Sequence, residues 1–231
     1  MKNKINELLN KKEYTVDDLI TIMKILRSEQ GCPWDREQNH KSIRNNLIEE
    51  TYEVIEAIDT DNFELLKEEL GDLLLQIVFH SEMESEKGNF DITSVANDIC
   101  KKLIVRHPHI FSDVCADDTE TVLKNWDAIK MQTKGQKDIG EVLDGIAKSL
   151  PALMYAEKIN SKMIKHSCDV NIPKYDKLDE YVSKNCTDSE DLSDYIGECL
   201  FAITRICAEK KISAEESLYN TCKKYTKKFN N

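Results

Sequence analysis

Apolar side chains recur along the chain at intervals of three and four residues, the spacing that places them on one face of an α-helix. Two stripes show this pattern: Leu47, Thr51, Val54, Ile55 and Ile58, followed by Val95, Ile99 and Leu103. The chain has only 7 glycines and 4 prolines among 231 residues, whereas all-β folds need many more turn residues. The pattern therefore predicts an all-α fold.

Capping and turn patterns in the sequence also predict where several helices begin and end. The pattern Thr15-x-x-Asp18 predicts a capping box, and Asp61 or Asn62 can cap a long third helix. The polar segment 133–140, TKGQKDIG, is the best candidate for a linker. The predicted helices span about 15–29, 41–59, 62–86, 91–105, 118–131, 144–166, 175–185, 189–209 and 213–228.

A weak internal repeat indicates that the chain contains two related halves. The segment ELGDLLLQIVFHSE, which begins at Glu69, is similar to YIGECLFAITRICA, which begins at Tyr195. A Cys-Lys-Lys triplet follows each segment, at Cys100 and at Cys222. We favour duplication over chance similarity between two amphipathic helices. The predicted domains are residues 1–135 and 141–231.

The net charge of the chain limits the classes of partner that it can bind. The net charge of −11 leaves no basic surplus to displace counterions, so we expect neither a nucleic acid nor a membrane as partner. The N-terminal segment lacks the apolar core of a signal peptide, and the longest apolar runs are too short to span a bilayer. The 8 cysteines show no CxxC spacing, so we expect free thiols in a reducing cytoplasm.

Two pairs of acidic residues are the candidate functional site. Glu50 and Glu53 lie one turn apart on one predicted helix, and Glu69 and Asp72 share that offset on the next. Two antiparallel helices joined by a short loop would place the pairs face to face. The residues around Asp72 are apolar on every side, so we expect this helix, with Glu69 and Asp72, to be buried. Buried carboxylates need a neutralising cation, and oxygen ligands suit Mg²⁺ or Mn²⁺.

An alternative interpretation gives these carboxylates no function. Each pair could form surface salt bridges, with Lys67 or Arg44 as the partner. We prefer the metal site because the apolar surroundings of Asp72 oppose a solvated ion pair.

The acidic motif and its flanks resemble the MazG nucleoside triphosphate pyrophosphohydrolases. The segment EETYE (49–53), fifteen residues and then ELGD (69–72) resemble the EExxE…ExxD signature of that family. The segments GCPWDREQ, RHPHIF, NWDAIK and LPALMYAEKI resemble further family segments and occur in the family's order. The resemblance covers about residues 15 to 231, with a divergent stretch at 167–190.

This resemblance implies an all-α protein of two helical-bundle repeats that forms a homodimer. It implies Mg²⁺-dependent hydrolysis of NTP or dNTP to NMP and pyrophosphate, with nucleotide-pool house-cleaning as the expected role. By motif position, Glu50, Glu53, Glu69 and Asp72 would be metal ligands. Glu49 would be a further ligand or would orient the attacking water.

The resemblance also implies residues that bind the nucleotide. Lys102 and Arg106 would grip phosphate oxygens, although both also suit the C-terminal end of a helix. Asn46 and Trp126 match further nucleotide-binding positions of the family. Trp34 is a further candidate to contact the nucleotide base. Either tryptophan could instead anchor the core.

The second repeat keeps less of the motif. Its ExxD positions are occupied by Tyr195 and Glu198, and the partner EExxE is missing, so we expect the chemistry in the first repeat. Two non-catalytic alternatives stay open: a regulatory module that senses metal or nucleotide, and a helical scaffold for a partner.

Overall fold

The computed structural model describes residues 2–112, 118–135, 138–168 and 189–228, and within these residues it contains helices and no β-strand. The predicted all-α fold is therefore confirmed. The helices are α1 (Lys2–Leu9), α2 (Val16–Arg27), α3 (Pro33–Glu37), α4 (Arg44–Asp59), α5 (Phe63–Ser85), α6 (Ile92–Arg106), α7 (Pro108–Phe111), α8 (Thr119–Lys134), α9 (Ile139–Asp144), α10 (Ala152–Lys165), α11 (Ser189–Lys210) and α12 (Ala214–Lys228).

The long periodic helices were predicted to within a few residues, and the short ones were missed. Helices α1, α3, α7 and α9 have at most eight residues, too few for an apolar stripe to be recognised. The helix predicted at 144–166 was too long, because it begins only at Ala152, after Pro151 at its N-cap. Helix α8 continues to Lys134, and Gly135 ends it with a left-handed φ of 64°. The helix predicted at 175–185 lies outside the described residues.

Two predicted caps are present. The Thr15 hydroxyl accepts from the Asp18 backbone N–H, and the Asp18 carboxylate accepts from the Thr15 N–H at 2.9 Å, which completes the capping box of α2. Asn62 caps α5 by accepting from the Leu65 N–H at 3.2 Å. The cap at Asn62 fixes where α5 starts. It thereby fixes how far along the helix axis the α5 side chains lie relative to those of α4.

The chain divides into two compact units, Met1–Cys115 and Ala116–Asn231. In the first unit α4 and α5 form a helical hairpin, and α2 and α6 also pack on α5. Residues 136–137 of the predicted linker lie outside the described residues, and the predicted domain bounds 1–135 and 141–231 stay a prediction. The buried core of the first unit consists of Met23, Ile43, Val78, Phe79 and Met83.

The expectation that α5 is buried on every side was wrong. Glu69 is 8% exposed, but Leu70 is 49% exposed, Ile77 is 41% exposed, and Asp72 is accessible to solvent. Helices α2, α4 and α6 cover only part of the α5 surface within this unit. Apolar residues on α4 and α6 are also exposed, among them Ile48, Tyr52, Ile55 and Ile58, and Val95, Ile99 and Leu103.

Two histidines to which the sequence analysis assigned no function are joined in the first unit. The Nδ1 atoms of His40 and His80 are 2.7 Å apart, and the rings stack with centroids 5.0 Å apart. His40 Nε2–H donates to the Glu84 carboxylate at 2.6 Å. Hydrogen bonds from Lys87, then Asn89 and His40, lower the pKa of Glu84 to about 2. This network holds the segment before α4 against α5.

The second unit is organised around α10 and α11. The Asn160 side chain is fully buried and donates to the Phe201 carbonyl at 3.1 Å and to the Thr204 hydroxyl at 3.0 Å. The Glu157 carboxylate accepts from the Ala214 N–H at 2.9 Å and thereby ties α12 to α10. No helix among the described residues has the length and hydropathy of a membrane span.

The cysteines agree with the prediction of free thiols as far as the structure describes them. The six cysteines within the described residues form no disulfide. They are Cys32, Cys100, Cys168, Cys199, Cys207 and Cys222.

Candidate metal centre

The hairpin of α4 and α5 brings the two predicted acidic pairs together. Ala57, only 1% exposed, places a small side chain on α4 where the helices meet, so their axes can approach closely. The loop between the helices is three residues long, and this length makes the helices antiparallel. The i,i+3 spacing of each pair then directs carboxylates of α4 toward those of α5.

Three carboxylates converge on one point. Glu50, Glu69 and Asp72 each offer an oxygen atom, and these oxygens all lie within 4.8 Å of one another. Glu69 is buried, whereas Glu50 and Asp72 are both partly accessible to solvent. Oxygens at this separation are within reach of a single ion with bond lengths of about 2.1 Å after small side-chain adjustments. The all-oxygen set fits Mg²⁺ or Mn²⁺ better than a metal that prefers sulfur or imidazole.

The carboxylates repel one another in the chain without metal. Burial raises the pKa of Glu50, and the charges of Asp72 and Glu53 raise it further. Burial also raises the pKa of Glu69, with a further contribution from the charge of Glu53. Both shifts have the direction expected of desolvated like charges that lack a neutralising cation.

The salt-bridge interpretation of the acidic pairs finds no support in the described residues. Within them, neither Arg44 nor Lys67 forms an ion pair with any of the four carboxylates. Both side chains are exposed to solvent. Neither of these two cations therefore neutralises the cluster, and a bound metal ion would supply the missing charge.

Glu53 and Glu49 flank this cluster. Glu53 is exposed, and its hydrogen bonds and charge raise the pKa of both Glu50 and Glu69. Glu49 is also exposed, and its charge makes a smaller contribution at Glu50. Neither side chain belongs to the group of three whose oxygens converge, and the functions of both stay predictions.

The predicted nucleotide-binding residues differ in solvent exposure and are divided between the two units. Lys102 is exposed and Arg106 is buried at the C-terminal end of α6, which packs on α5. Asn46 is half-buried, one turn before Glu50 on α4. Trp34 on α3 is 58% exposed, which excludes the alternative that it anchors the core. Trp126 is half-buried in the second unit. Their contacts with a nucleotide stay predictions.

Gln76 is a polar residue of this helix to which the sequence analysis gave no function. It lies one turn after Asp72 and is 6% exposed. Its Oε1 atom has no hydrogen-bond partner among the described residues. The sequence signal was its position between Glu69 and Asp72 on the helical wheel, within an otherwise apolar run.

The corresponding positions of the second unit form no such centre. Tyr195 is half-buried and Glu198 is exposed on α11. Across the described ranges, the group formed by Glu50, Glu69 and Asp72 is the only one of three or more ligating side chains.

Comparison with known proteins places this centre inside a family segment. The MazG nucleotide pyrophosphohydrolase domain matches residues 38–111, a stretch that includes all five acidic residues, Lys102 and Arg106. A nucleoside triphosphate pyrophosphohydrolase of Escherichia coli K12 is 38% identical over 224 residues, 93% of this chain and 85% of the relative. The Thermotoga maritima protein named nucleoside triphosphate pyrophosphohydrolase/pyrophosphatase MazG is 38% identical over 217 residues, 92% of this chain and 83% of the relative.

A more distant relative has the same function in its name. A nucleoside triphosphate pyrophosphohydrolase of Mycobacterium tuberculosis is 32% identical over 200 residues, 85% of this chain and 58% of the relative. Similarity to these proteins therefore extends through both units of the chain and is not confined to the acidic segment.

Proposed function

The chain belongs to the MazG nucleotide pyrophosphohydrolase family, and we propose that it hydrolyses nucleoside triphosphates to monophosphates and pyrophosphate in an Mg²⁺-dependent reaction. The observation that carries this proposal is the convergence of carboxylate oxygens of Glu50, Glu69 and Asp72, which all lie within 4.8 Å of one another. The names of the relatives support the reaction, and the acidic cluster supports the metal.

The residue types suit cleavage between the α- and β-phosphates. A triphosphate carries about four negative charges, so an acidic centre can approach it only through a cation. A bound Mg²⁺ would screen this charge, lower the pKa of a water and stabilise the departing pyrophosphate. Glu50, Glu69 and Asp72 would hold the ion, and Glu53 would complete its ligands. Glu49 would orient the water, whose oxygen bonds to Pα as the Pα–O–Pβ bridge breaks.

Other residues of the chain would position the substrate. Lys102 and Arg106 are one turn apart on α6 and would bind phosphate oxygens with charge-assisted hydrogen bonds. Asn46 would contribute a neutral hydrogen bond from α4. Trp34 offers an exposed ring to the base, and Trp126 is the second candidate for that contact.

The direct test is release of both products from a panel of NTPs and dNTPs, with Mg²⁺ and with EDTA. We expect NMP and pyrophosphate in equal amounts with Mg²⁺, and no release above background with EDTA. A folded protein that releases neither product would contradict the proposal and favour the sensing module. Release of inorganic phosphate in place of pyrophosphate would contradict cleavage at Pα.

The same assay, extended to non-standard nucleoside triphosphates, tests the physiological role. House-cleaning of the nucleotide pool is part of the proposal and requires activity on several bases and on non-standard nucleotides. Confinement of activity to one standard nucleotide would contradict it. The proposed location is the cytoplasm, where these substrates are found.

We also place a homodimer within this proposal, because the first unit exposes apolar side chains on α4, α5 and α6. Ile55, Leu70 and Ile99 are each more than 40% exposed, and such patches are typical of protein interfaces. Ile99→Lys is expected to raise the dissociation constant of the dimer by at least tenfold, since it places a charge in the apolar interface.

Sedimentation analysis at several protein concentrations would measure this effect. Asn97→Lys adds the same charge at an exposed polar position of α6 and is the matched control. A wild-type chain that is monomeric at micromolar concentration would contradict the dimer.

A further inference from the structure

The second unit contains a cavity that the hydrolytic reaction does not use. It has a volume of about 730 Å³ and lies between α8, α9, α10 and the segment that joins α9 to α10. Sites for small molecules typically measure about 300–1,000 Å³. All of its lining residues belong to the second unit, whereas the acidic centre belongs to the first.

Lysines of α10 form one wall of the cavity. Lys158, Lys162 and Lys165 follow the spacing i, i+4, i+7 and therefore share one face of the helix. Lys130 adds a further positive side chain from α8. Glu157 is the one acidic side chain among the described lining residues, and its carboxylate accepts a hydrogen bond from the Ala214 N–H. The described lining thus contains four lysines and one glutamate, although the chain carries a net charge of −11.

This basic face is not required for packing against α11. The opposite side of α10 makes that contact, through the buried Asn160, which donates to Phe201 and Thr204 of α11. Desolvation lowers the pKa of the Lys165 ammonium, although the residue is exposed as a whole.

The other wall is apolar. Met131, Val142, Ile146 and Leu150 contribute side chains from α8, α9 and the following segment. Ammonium groups are compact charges that bind phosphate oxygens, and an apolar wall favours a ligand with an uncharged body. The described lining contains no Phe, Tyr or Trp ring, so recognition would depend little on stacking of a base.

We propose that this cavity binds a nucleoside phosphate without metal, with the α10 lysines on the phosphate groups and the apolar wall against the nucleoside. The cavity is thus a second nucleotide site in the half of the chain that lacks the acidic motif. The choice of nucleoside phosphates over other phosphorylated molecules rests on the proposed function, because these are the compounds that the first unit would handle.

Calorimetric titration of the full chain in EDTA tests the proposal, with ATP, AMP and inorganic pyrophosphate as the probes. EDTA prevents turnover and removes metal-dependent binding at the acidic centre. We expect saturable binding of ATP that is tighter than binding of pyrophosphate. Absence of binding in EDTA would overturn the proposal, and equal affinity for ATP and pyrophosphate would overturn the nucleoside assignment.

Variants connect the binding to the cavity. The double variant Lys158→Ala/Lys162→Ala is expected to weaken ATP binding in EDTA by about tenfold or more, because it removes two charged contacts. Lys148→Ala is the matched control, since Lys148 is an exposed lysine of the same unit outside the lining. Equal weakening in the control, or none in the double variant, would overturn the proposal.

Two further measurements separate possible causes of failure. Circular dichroism checks the fold of the double variant, and Lys158→Ala alone replaces it if it unfolds, since Lys158 is exposed. Metal-free binding in a chain that shows no turnover would support the cavity and contradict the hydrolase. Turnover without metal-free binding would do the reverse.

Discussion

Glu53→Gln is expected to lower kcat/KM for nucleoside triphosphates by about 10³-fold with Mg²⁺ present. Glu53 lies beside Glu50 and Glu69, where its charge and hydrogen bonds raise the pKa of both. A neutral amide would remove one negative charge from the proposed metal site. Loss of about 4 kcal/mol of transition-state stabilisation from a metal-assisted step corresponds to this factor. Initial rates of pyrophosphate release would measure it.

The variant should fold normally, because the Glu53 side chain is exposed. Glu56→Gln is the matched control, because it makes the same chemical change. Glu56 lies one turn further along α4 and is also exposed. We expect Glu56→Gln to retain activity within about twofold. Full activity in Glu53→Gln, or equal losses in both variants, would contradict a specific role of Glu53 at the metal.

Mg²⁺ is expected to raise the melting temperature of the wild-type chain by several degrees at pH 7.5. At a metal concentration about 100-fold above the dissociation constant, binding to the folded state alone produces a shift of this order. The repelling carboxylates of Glu50, Glu69 and Asp72 provide the reason, since the ion would neutralise them. Thermal unfolding followed by circular dichroism, with Mg²⁺ and with EDTA, would measure the shift.

The stability without metal should depend on pH in a defined direction. The pKa values of Glu50 and Glu69 are raised above the ordinary value of 4.5, so the folded chain binds these protons more tightly than the unfolded chain. Their contribution to stability is therefore fully present below about pH 4.5 and is lost as the pH rises through the raised values. Above the raised values the carboxylates of the cluster are charged, and their repulsion destabilises the folded chain in EDTA.

Glu69→Gln follows from the same electrostatics. It removes one of the repelling charges, so we expect a metal-free melting temperature at or above that of the wild type. The increase caused by Mg²⁺ should disappear. Glu56→Gln again serves as the control and should keep the full increase. A shift of equal size in Glu69→Gln would mean that Mg²⁺ binds elsewhere, and no shift in the wild type would favour the helical scaffold.

The parts of the fold that were predicted correctly depend on local repetition. Helices α4, α5 and α6 each contain at least 15 residues, so several turns of apolar and polar positions define their period. Short helices such as α3 and α7 contain too few turns for a period, and each begins with a proline that also suits a loop. Their existence depends on packing that the local pattern does not contain.

The structure agrees with most of the residues predicted for the acidic site but differs from the predicted burial of these residues. The four carboxylates were chosen from their spacing, and three of them come together on the α4–α5 hairpin. The burial of Asp72 was overestimated because an apolar helix surface can face either the core or an unfilled interface. The contact between His40 and His80 went unnoticed because it joins residues 40 positions apart, for which one sequence offers no pairing signal.

By itself, the sequence determined the helical class, the i,i+3 carboxylate pairs, and the lysine spacing of α10. These features follow from the 3.6-residue period, which acts within a single helix. Only the tertiary structure decided that Glu50 and Glu69 approach across two helices, that Leu70 stays exposed, and that the α10 lysines line a cavity. Each of these depends on which helix surfaces pack together, a choice made by contacts between residues far apart in the chain.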